Sequence, residues 1–232
     1  MSKKKRSKAH LPPSVQARVQ RRQAAATRAT NTRWWVMAAV AIVVVGIALW
    51  FTVGPGKPAE PVEPDVSDRN GMYSGPPEMQ IDAENLYIAT IATAKGDIVV
   101  QLDAAAAPQT VSNFVFLARD GFYDGLTFHR VEQGLIQGGD PLAEGTGGPG
   151  YTVPAEIGLP HIEGAIAMAR QGDAVNPERE SSGSQFYICL QALPTLDGAY
   201  TVFGQVIAGL DVARQIEEQD VIETITIEEA AG

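Results

Sequence analysis

The chain has 232 residues, a single cysteine and a formal net charge of −9. One cysteine excludes an intramolecular disulfide framework and a Cys-rich zinc module, and the length admits one ordinary domain of roughly 100 to 200 residues with appendages. The net charge conceals two regimes: residues 1–33 carry ten basic residues and no acidic one, whereas the chain after residue 53 carries eight basic and 27 acidic residues, a net −19.

Residues 34–53, WWVMAAVAIVVVGIALWFTV, form a run of twenty with no charge and only Gly46 and Thr52 outside the apolar and aromatic set. At about 1.5 Å per residue the run covers the roughly 30 Å hydrocarbon core of a bilayer, with aromatic residues at both ends where interfacial belts form. Basic residues before it and an acidic chain after it orient the span by the positive-inside rule. The expectation is a cytoplasmic basic tail over 1–33, a single-pass transmembrane helix over 34–53 in the cell membrane, and an extracytoplasmic domain. The competing reading is a cleaved signal peptide, but the run exceeds the usual h-region and VGPGKPAEP offers no clear small-x-small site. A basic tail beside a span is explained by topology and anionic headgroups, so no nucleic-acid partner is inferred.

Residues 54–83 hold Pro55, Pro58, Pro61, Pro64, Pro76 and Pro77 among Gly, Glu, Asp and Ser, a composition that reads as an extended spacer. The folded domain is expected over 84–232. LYIATIAT and DIVVQLD read as a hairpin turning at Ala94-Lys95-Gly96, with Gly96 at positive φ. Pro108 suits a first helical turn, and Val111, Phe114, Val115, Leu117 and Ala118 recur at helical spacing up to Asp120-Gly121. LTFHRV, GAIAMAR, SQFYICL, YTVFGQV and VIETITI then read as short strands, with a second helix over Gly209 to Glu218. Many strands and two helices argue for a β-barrel or sandwich and against a βαβ sheet.

Three motifs invite other chemistry. Gly145-Thr146-Gly147-Gly148-Pro149-Gly150 has the letters of a dinucleotide turn, but Pro149 and YTVPAE supply no following helix, and the segment reads as a long flexible loop. His129 and His161 stand too far apart, without a Cys or carboxylate cluster, to make a zinc site. Ser181, Ser182 and Ser184 lack a nucleophile-elbow sequence. Cys189, in a strand, is expected to be buried.

Phe128-His129-Arg130-Val131, then Gln137-Gly138-Gly139-Asp140, Ser184-Gln185-Phe186-Tyr187-Ile188, Leu196-Asp197-Gly198 and Val202-Phe203-Gly204 together resemble the cyclophilins, a family of peptidyl-prolyl cis-trans isomerases, over residues 84 to 228. The resemblance implies a mostly β fold, a closed eight-stranded antiparallel β-barrel capped by two α-helices. It also implies acceleration of X-Pro rotation with no metal or cofactor, and the anchor and its orientation add the expectation that the substrates are exported or membrane-associated proteins. Phe128, Ile166, Met168, Phe186, Ile188 and Val202 would be divided between core and groove by strand alternation. Arg130 matches the catalytic arginine and Gln137 the glutamine that positions it. Leu135, Ile136, Ala169, Arg170, Gln185, Tyr187, Leu196 and Tyr200 match substrate-binding positions. Tyr187 would wall the proline pocket, and the main chain of Ala169 and Arg170 would pair with the peptide. The usual pocket aromatic is absent, leaving Leu135 or Ile136 in its place. The position of a tryptophan linked to cyclosporin binding in many eukaryotic members falls on Thr195, which implies weak affinity for that ligand. The expected partners are proline-containing polypeptides and the membrane, with the chain a monomer. The runner-up is a catalytically weak proline-peptide binding module or holdase chaperone.

Overall fold

The structure is a computed structural model that describes residues 65–231. The tail and membrane segment expected over 1–33 and 34–53 lie outside the described residues, among which no helix is long and apolar enough to cross a membrane.

Strands β1 (Leu86–Thr93) and β2 (Gly96–Leu102) form the expected hairpin, in register from Tyr87 opposite Leu102 to Thr93 opposite Gly96. The turn closes because Gly96 adopts φ +134° and the Thr93 hydroxyl donates to the Gly96 carbonyl at 2.8 Å. Helix α1 (Pro108–Arg119) starts on proline and buries Val111, Phe114, Val115, Leu117 and Ala118. Each large apolar side chain removed from water there contributes about 1.5–3 kcal/mol. Its first turn lacks a local cap. The Glu156 carboxylate supplies one from a distance, accepting from the amides of Gln109 (3.0 Å) and Thr110 (2.8 Å) at the positive end of the helix dipole.

The chain continues through β3 (Arg130–Val131), β4 (Leu135–Gly138), β5 (Thr152–Val153), β6 (Ala165–Met168), β7 (Ser181–Ser182), β8 (Phe186–Cys189), β9 (Val202–Ala208), α2 (Leu210–Ala213) and β10 (Ile222–Ala230). Eight of the ten described strands form one antiparallel sheet in the order β10-β1-β2-β9-β6-β8-β4-β3, while β5 and β7 pair separately. The architecture is a mostly β half-barrel with two helices. The edge strands β3 and β10 are not paired with each other. The segments before them approach through Ile222 N to Leu126 O (2.8 Å), Phe128 N to Asp220 O (2.9 Å) and one isolated bridge between Thr127 and Val221.

Alternation along the strands sorts the side chains into two clusters. Phe128, Ile136, Ile166, Met168, Phe186 and Ile188 join the main core with Phe114 and Phe203, whereas Leu135, Ala165, Ala167, Tyr187, Cys189 and Val202 form a smaller cluster on the opposite face. Of the residues expected to divide between core and groove, Val202 alone falls on the groove side.

The second helix and the spacer differ from expectation. The second helix, expected over Gly209 to Glu218, is the single turn Leu210–Ala213. Ile216 turns into the core, Gln219 takes φ +69°, and the Asp220 carboxylate accepts from the Glu217 amide at 2.7 Å, which replaces further helix by a turn. The spacer expected over 54–83 contains residues that dock. Val66, Tyr73 and Ile81 pack against the core, and Val66–Arg69 forms a 3₁₀ turn capped by Asp65. These three anchors, with hydrogen bonds from the Arg69 side chain and the Gly71 and Tyr73 amides, lay residues 65–81 along the domain as a strap.

Candidate active site

The β3–β4 register sets Arg130 opposite Gln137. The Arg130 side chain is half-exposed: Nη1 donates to Gln137 Oε1 at 3.0 Å, Nε donates to Glu132 Oε1 at 2.9 Å, and Nη2 lies 2.7 Å from the same oxygen. Gln137 is buried, and its Nε2 donates to Gln185 Oε1 at 2.9 Å. Gln185 Nε2 in turn donates to the Gly147 carbonyl at 2.8 Å. The direction of this series is forced, because a guanidinium only donates and a backbone carbonyl only accepts, so each amide between them has one orientation that satisfies both neighbours.

Arg130, Gln137 and Gln185 face a groove of about 730 Å³. Of the ten site residues expected from the sequence, Leu135, Arg170, Tyr187, Leu196 and Tyr200 also line it, and Ile136 and Ala169 do not. Ile136 points into the main core, so Leu135 is the apolar side chain offered to the groove at this edge. The Ala169 amide donates to Gln185 O at 2.9 Å, and its carbonyl accepts from Ser182 N at 2.8 Å and keeps its second lone pair.

Tyr187 is held from behind. Its hydroxyl meets His161 Nε2 at 2.9 Å, and His161 Nδ1 meets Asp197 Oδ1 at 2.9 Å, with the His161 and Tyr187 rings stacked 9° from parallel. Burial pushes the Tyr187 hydroxyl well above the ordinary phenol range. The Asp197 carboxyl lies below its ordinary value because the His161 amide and then the His161 ring hydrogen-bond to it. Tyr200 stands edge-on to Tyr187, with centroids 5.9 Å apart, and the two rings with Leu135 and Leu196 give the groove an apolar end.

Arg170 spends its charge inside the protein. Its guanidinium carbon sits 4.7 Å from the centre of the Tyr200 ring, Nε donates to Ala199 O at 2.7 Å, and Nη1 pairs with Asp173 at 2.6 Å. Asp173 also binds Arg179 at 3.0 Å, so the loop after β6 is clamped beside the groove, and these two arginines hold the Asp173 carboxyl below its usual range.

The glycine-rich segment expected to be a flexible loop is fixed on two sides. Gly147 O binds Gln185, Gly148 N donates to Asn70 Oδ1 at 3.0 Å, and the buried Asp140 carboxylate accepts from the amides of Leu142 and Gly145. Its glycines serve close packing: a Cβ on Gly147 would overlap the Asp140 carboxylate. The serines are structural. Ser184 Oγ donates to Gly139 O at 2.7 Å and Ser182 Oγ accepts from Gln185 N at 3.0 Å. Cys189 is buried beneath the groove, and desolvation raises its thiol to about 12.

Sequence reasoning missed Glu132, His161 and Asp197 as site residues. The sequence offers His161 only as a candidate metal ligand, and its spacing from Asp197 and Tyr187 carries no signal, since the fold alone joins them.

The site is thus an external groove on an antiparallel half-barrel, with a guanidinium beside an apolar end. The comparisons narrow the class. The family described as cyclophilin type peptidyl-prolyl cis-trans isomerase matches residues 88–231. A peptidyl-prolyl cis-trans isomerase of Helicobacter pylori is 47% identical over 143 residues, 59% of this chain and 84% of the relative. Peptidyl-prolyl cis-trans isomerase B of Bacillus subtilis is 47% identical over 132 residues, 55% of this chain and 88% of the relative. Among solved structures, a cyclophilin type peptidyl-prolyl cis-trans isomerase of Cryptosporidium parvum superposes with a TM-score of 0.57 at 30% identity, covering 62% of this chain and 98% of that one. The same protein has also been crystallised in the presence of the dipeptide Ala-Pro. The chain belongs to the cyclophilin-type peptidyl-prolyl cis-trans isomerases.

Proposed function

We propose that the chain accelerates X-Pro rotation through Arg130, acting on exported or membrane-associated polypeptides from a domain anchored by residues 34–53. The amide resists rotation because the prolyl nitrogen lone pair is delocalised into the carbonyl, giving a barrier of roughly 18–20 kcal/mol. As the bond twists, the nitrogen becomes pyramidal and gains a localised lone pair. A guanidinium N–H aimed at that nitrogen finds an acceptor only in the twisted state, so it stabilises the transition state over both ground states. Nothing is cleaved and no proton need be transferred.

The observation that carries this reading is the guanidinium beside the apolar end of the groove, held by Gln137 and Glu132 at 3.0 and 2.9 Å. Leu135, Tyr187, Leu196 and Tyr200 supply the surface that a pyrrolidine ring would occupy. The backbone bonds between residues 125–128 and 219–222 support a barrel that functions as closed, rigid enough to keep the groove at a fixed width. The uncharged twenty-residue run and the charge change across it support the anchor and an extracytoplasmic domain. The domain is read as a monomer.

The test is refolding of a protein whose slow phase is prolyl isomerisation, with the 232-residue chain reconstituted in vesicles. Wild type is expected to remove the slow phase and Arg130→Lys to leave it, because lysine keeps the charge and loses the planar fork. Suppressed aggregation with an unchanged slow phase would replace the isomerase by a binding module or holdase. Loss of 34–53 from the mature chain, seen by mass spectrometry, would remove the anchor.

A further inference from the structure

The strap lies outside the stretch matched by the family, which begins at residue 88. Two of its residues, Asn70 and Gly71, nevertheless line the same groove as Arg130. Gly71 N donates to Gly148 O at 2.9 Å, Tyr73 N donates to Pro149 O at 2.8 Å, and Gly148 N donates to Asn70 Oδ1 at 3.0 Å. Strap and loop are fitted to each other. A Cβ on Gly147 would press to 3.2 Å from Asn70 Oδ1, and Gly150, at φ +112°, comes so near the strap that a Cβ would overlap the Tyr73 carbonyl.

The loop held in this way is the one that receives Gln185. A continuous series of contacts therefore runs from Asn70 through Gly148 and Gly147 to Gln185, Gln137 and Arg130, with hydrogen bonds of 3.0, 2.8, 2.9 and 3.0 Å. The glycine loop has no helix or long strand of its own to fix its height above the groove, and its backbone is anchored by Gln185 and Asp140 on one side and the strap on the other.

We propose that Asn70 is a positioning residue of the substrate groove: by holding the Gly148 amide it fixes the far wall against which an extended peptide lies. The inference rests on the isomerase reading for its substrate class. The strap stays attached without it, since Val66 packs on the core, Arg69 Nη1 donates to the carbonyls of Phe122 (2.9 Å) and Asp124, and the Tyr73 hydroxyl donates to Asp120 at 2.6 Å. Replacing Asn70 thus removes the one side-chain bond that holds the Gly148 amide, while the backbone bonds of Gly71 and Tyr73 to the loop and the support of the strap stay in place. On this proposal a short proline ligand confined to the apolar end is indifferent to this wall, and a peptide extended as far as Gly148 is sensitive to it.

The experiment uses the 232-residue chain and compares Asn70→Ala and Asn70→Asp with wild type. Binding is read by calorimetry and turnover by isomerisation, for a blocked Ala-Pro dipeptide and for a peptide extended far enough to reach Gly148. Losing the loop bond in Asn70→Ala is expected to weaken binding of the extended peptide and raise its KM by about fivefold. The dipeptide stays within a factor of about two, and Asn70→Asp, which keeps the acceptor, recovers most of the loss. Equal effects on both ligands, no effect on either, or an Asp variant as poor as Ala would overturn the proposal. A wild type that binds both ligands without turnover would overturn the isomerase reading instead, and the binding comparison would still decide the role of Asn70.

Discussion

Gln137 Oε1 accepts a hydrogen bond from Arg130 Nη1 at 3.0 Å across directly opposed positions of β3 and β4. The ladder places the amide and the guanidinium together, and Gln185 fixes which end of the amide faces the arginine. Replacing Gln137 by Leu keeps the volume and removes the acceptor, leaving Glu132 as the partner of Arg130 and pulling it toward the exposed rim. The expected result is a fall in kcat/KM of about tenfold or more, with the fold retained, measured by peptide isomerisation beside circular dichroism.

Tyr187→Phe tests the support behind the pocket wall. The ring that faces the groove is kept, but the buried His161 Nε2 loses its 2.9 Å partner. Stability is expected to fall by about 1–3 kcal/mol in urea unfolding, with the isomerisation rate within a few-fold of wild type. A large loss of rate at unchanged stability would show that the hydroxyl acts in the groove.

His129 gives the domain an acid sensitivity. Burial lowers its pKa below the ordinary 6.5, outweighing the nearby Asp140 charge. The unfolded chain therefore takes up the proton first as pH falls. The stability linked to neutral His129 is complete above the unfolded value and is lost as pH drops through the lower folded value. His129→Gln is expected to flatten the fall in unfolding free energy as pH drops through and below the ordinary histidine value of 6.5, whereas the lowered carboxyls Asp173 and Asp197 act only below the ordinary carboxylate value.

Cyclosporin is expected to bind weakly. Thr195 stands, exposed, in the short turn Pro194–Leu196 beside the groove, and a threonine gives the macrocycle neither the area nor the indole donor of a tryptophan. Calorimetric titration should give little heat, and a submicromolar dissociation constant would contradict the assignment. Thr195→Trp should strengthen binding.

The hairpin, α1 and most long strands were legible because their signals are local: Gly96 at the turn, Pro108 at a helix start, apolar residues at period two or near four. The strands Thr152–Val153 and Ser181–Ser182 were not, since two residues carry no periodicity and exist only through each other. Of Leu135–Gly138 the sequence offers Gln137 and Gly138 as part of a motif and no strand signal, and the choice between Leu135 and Ile136 needs the register of the strand. Val66, Tyr73 and Ile81 were hidden in a composition that reads as spacer, because three anchors among prolines and acids do not shift an average. In the site, Arg130, Gln137 and Tyr187 were named from the pattern of the family. The links from Asp197 through His161 to Tyr187 and from Asn70 to the glycine loop join residues 26 to 78 positions apart, and the fold alone brings them together.

The most direct test of the central claim is the cis-to-trans rate of an X-Pro peptide with the 232-residue chain and with its Arg130→Ala variant, both verified as folded. Acceleration by the wild type that falls by about tenfold or more in the variant is the expected result. An equal rate for the two would contradict a role for Arg130 at the prolyl nitrogen.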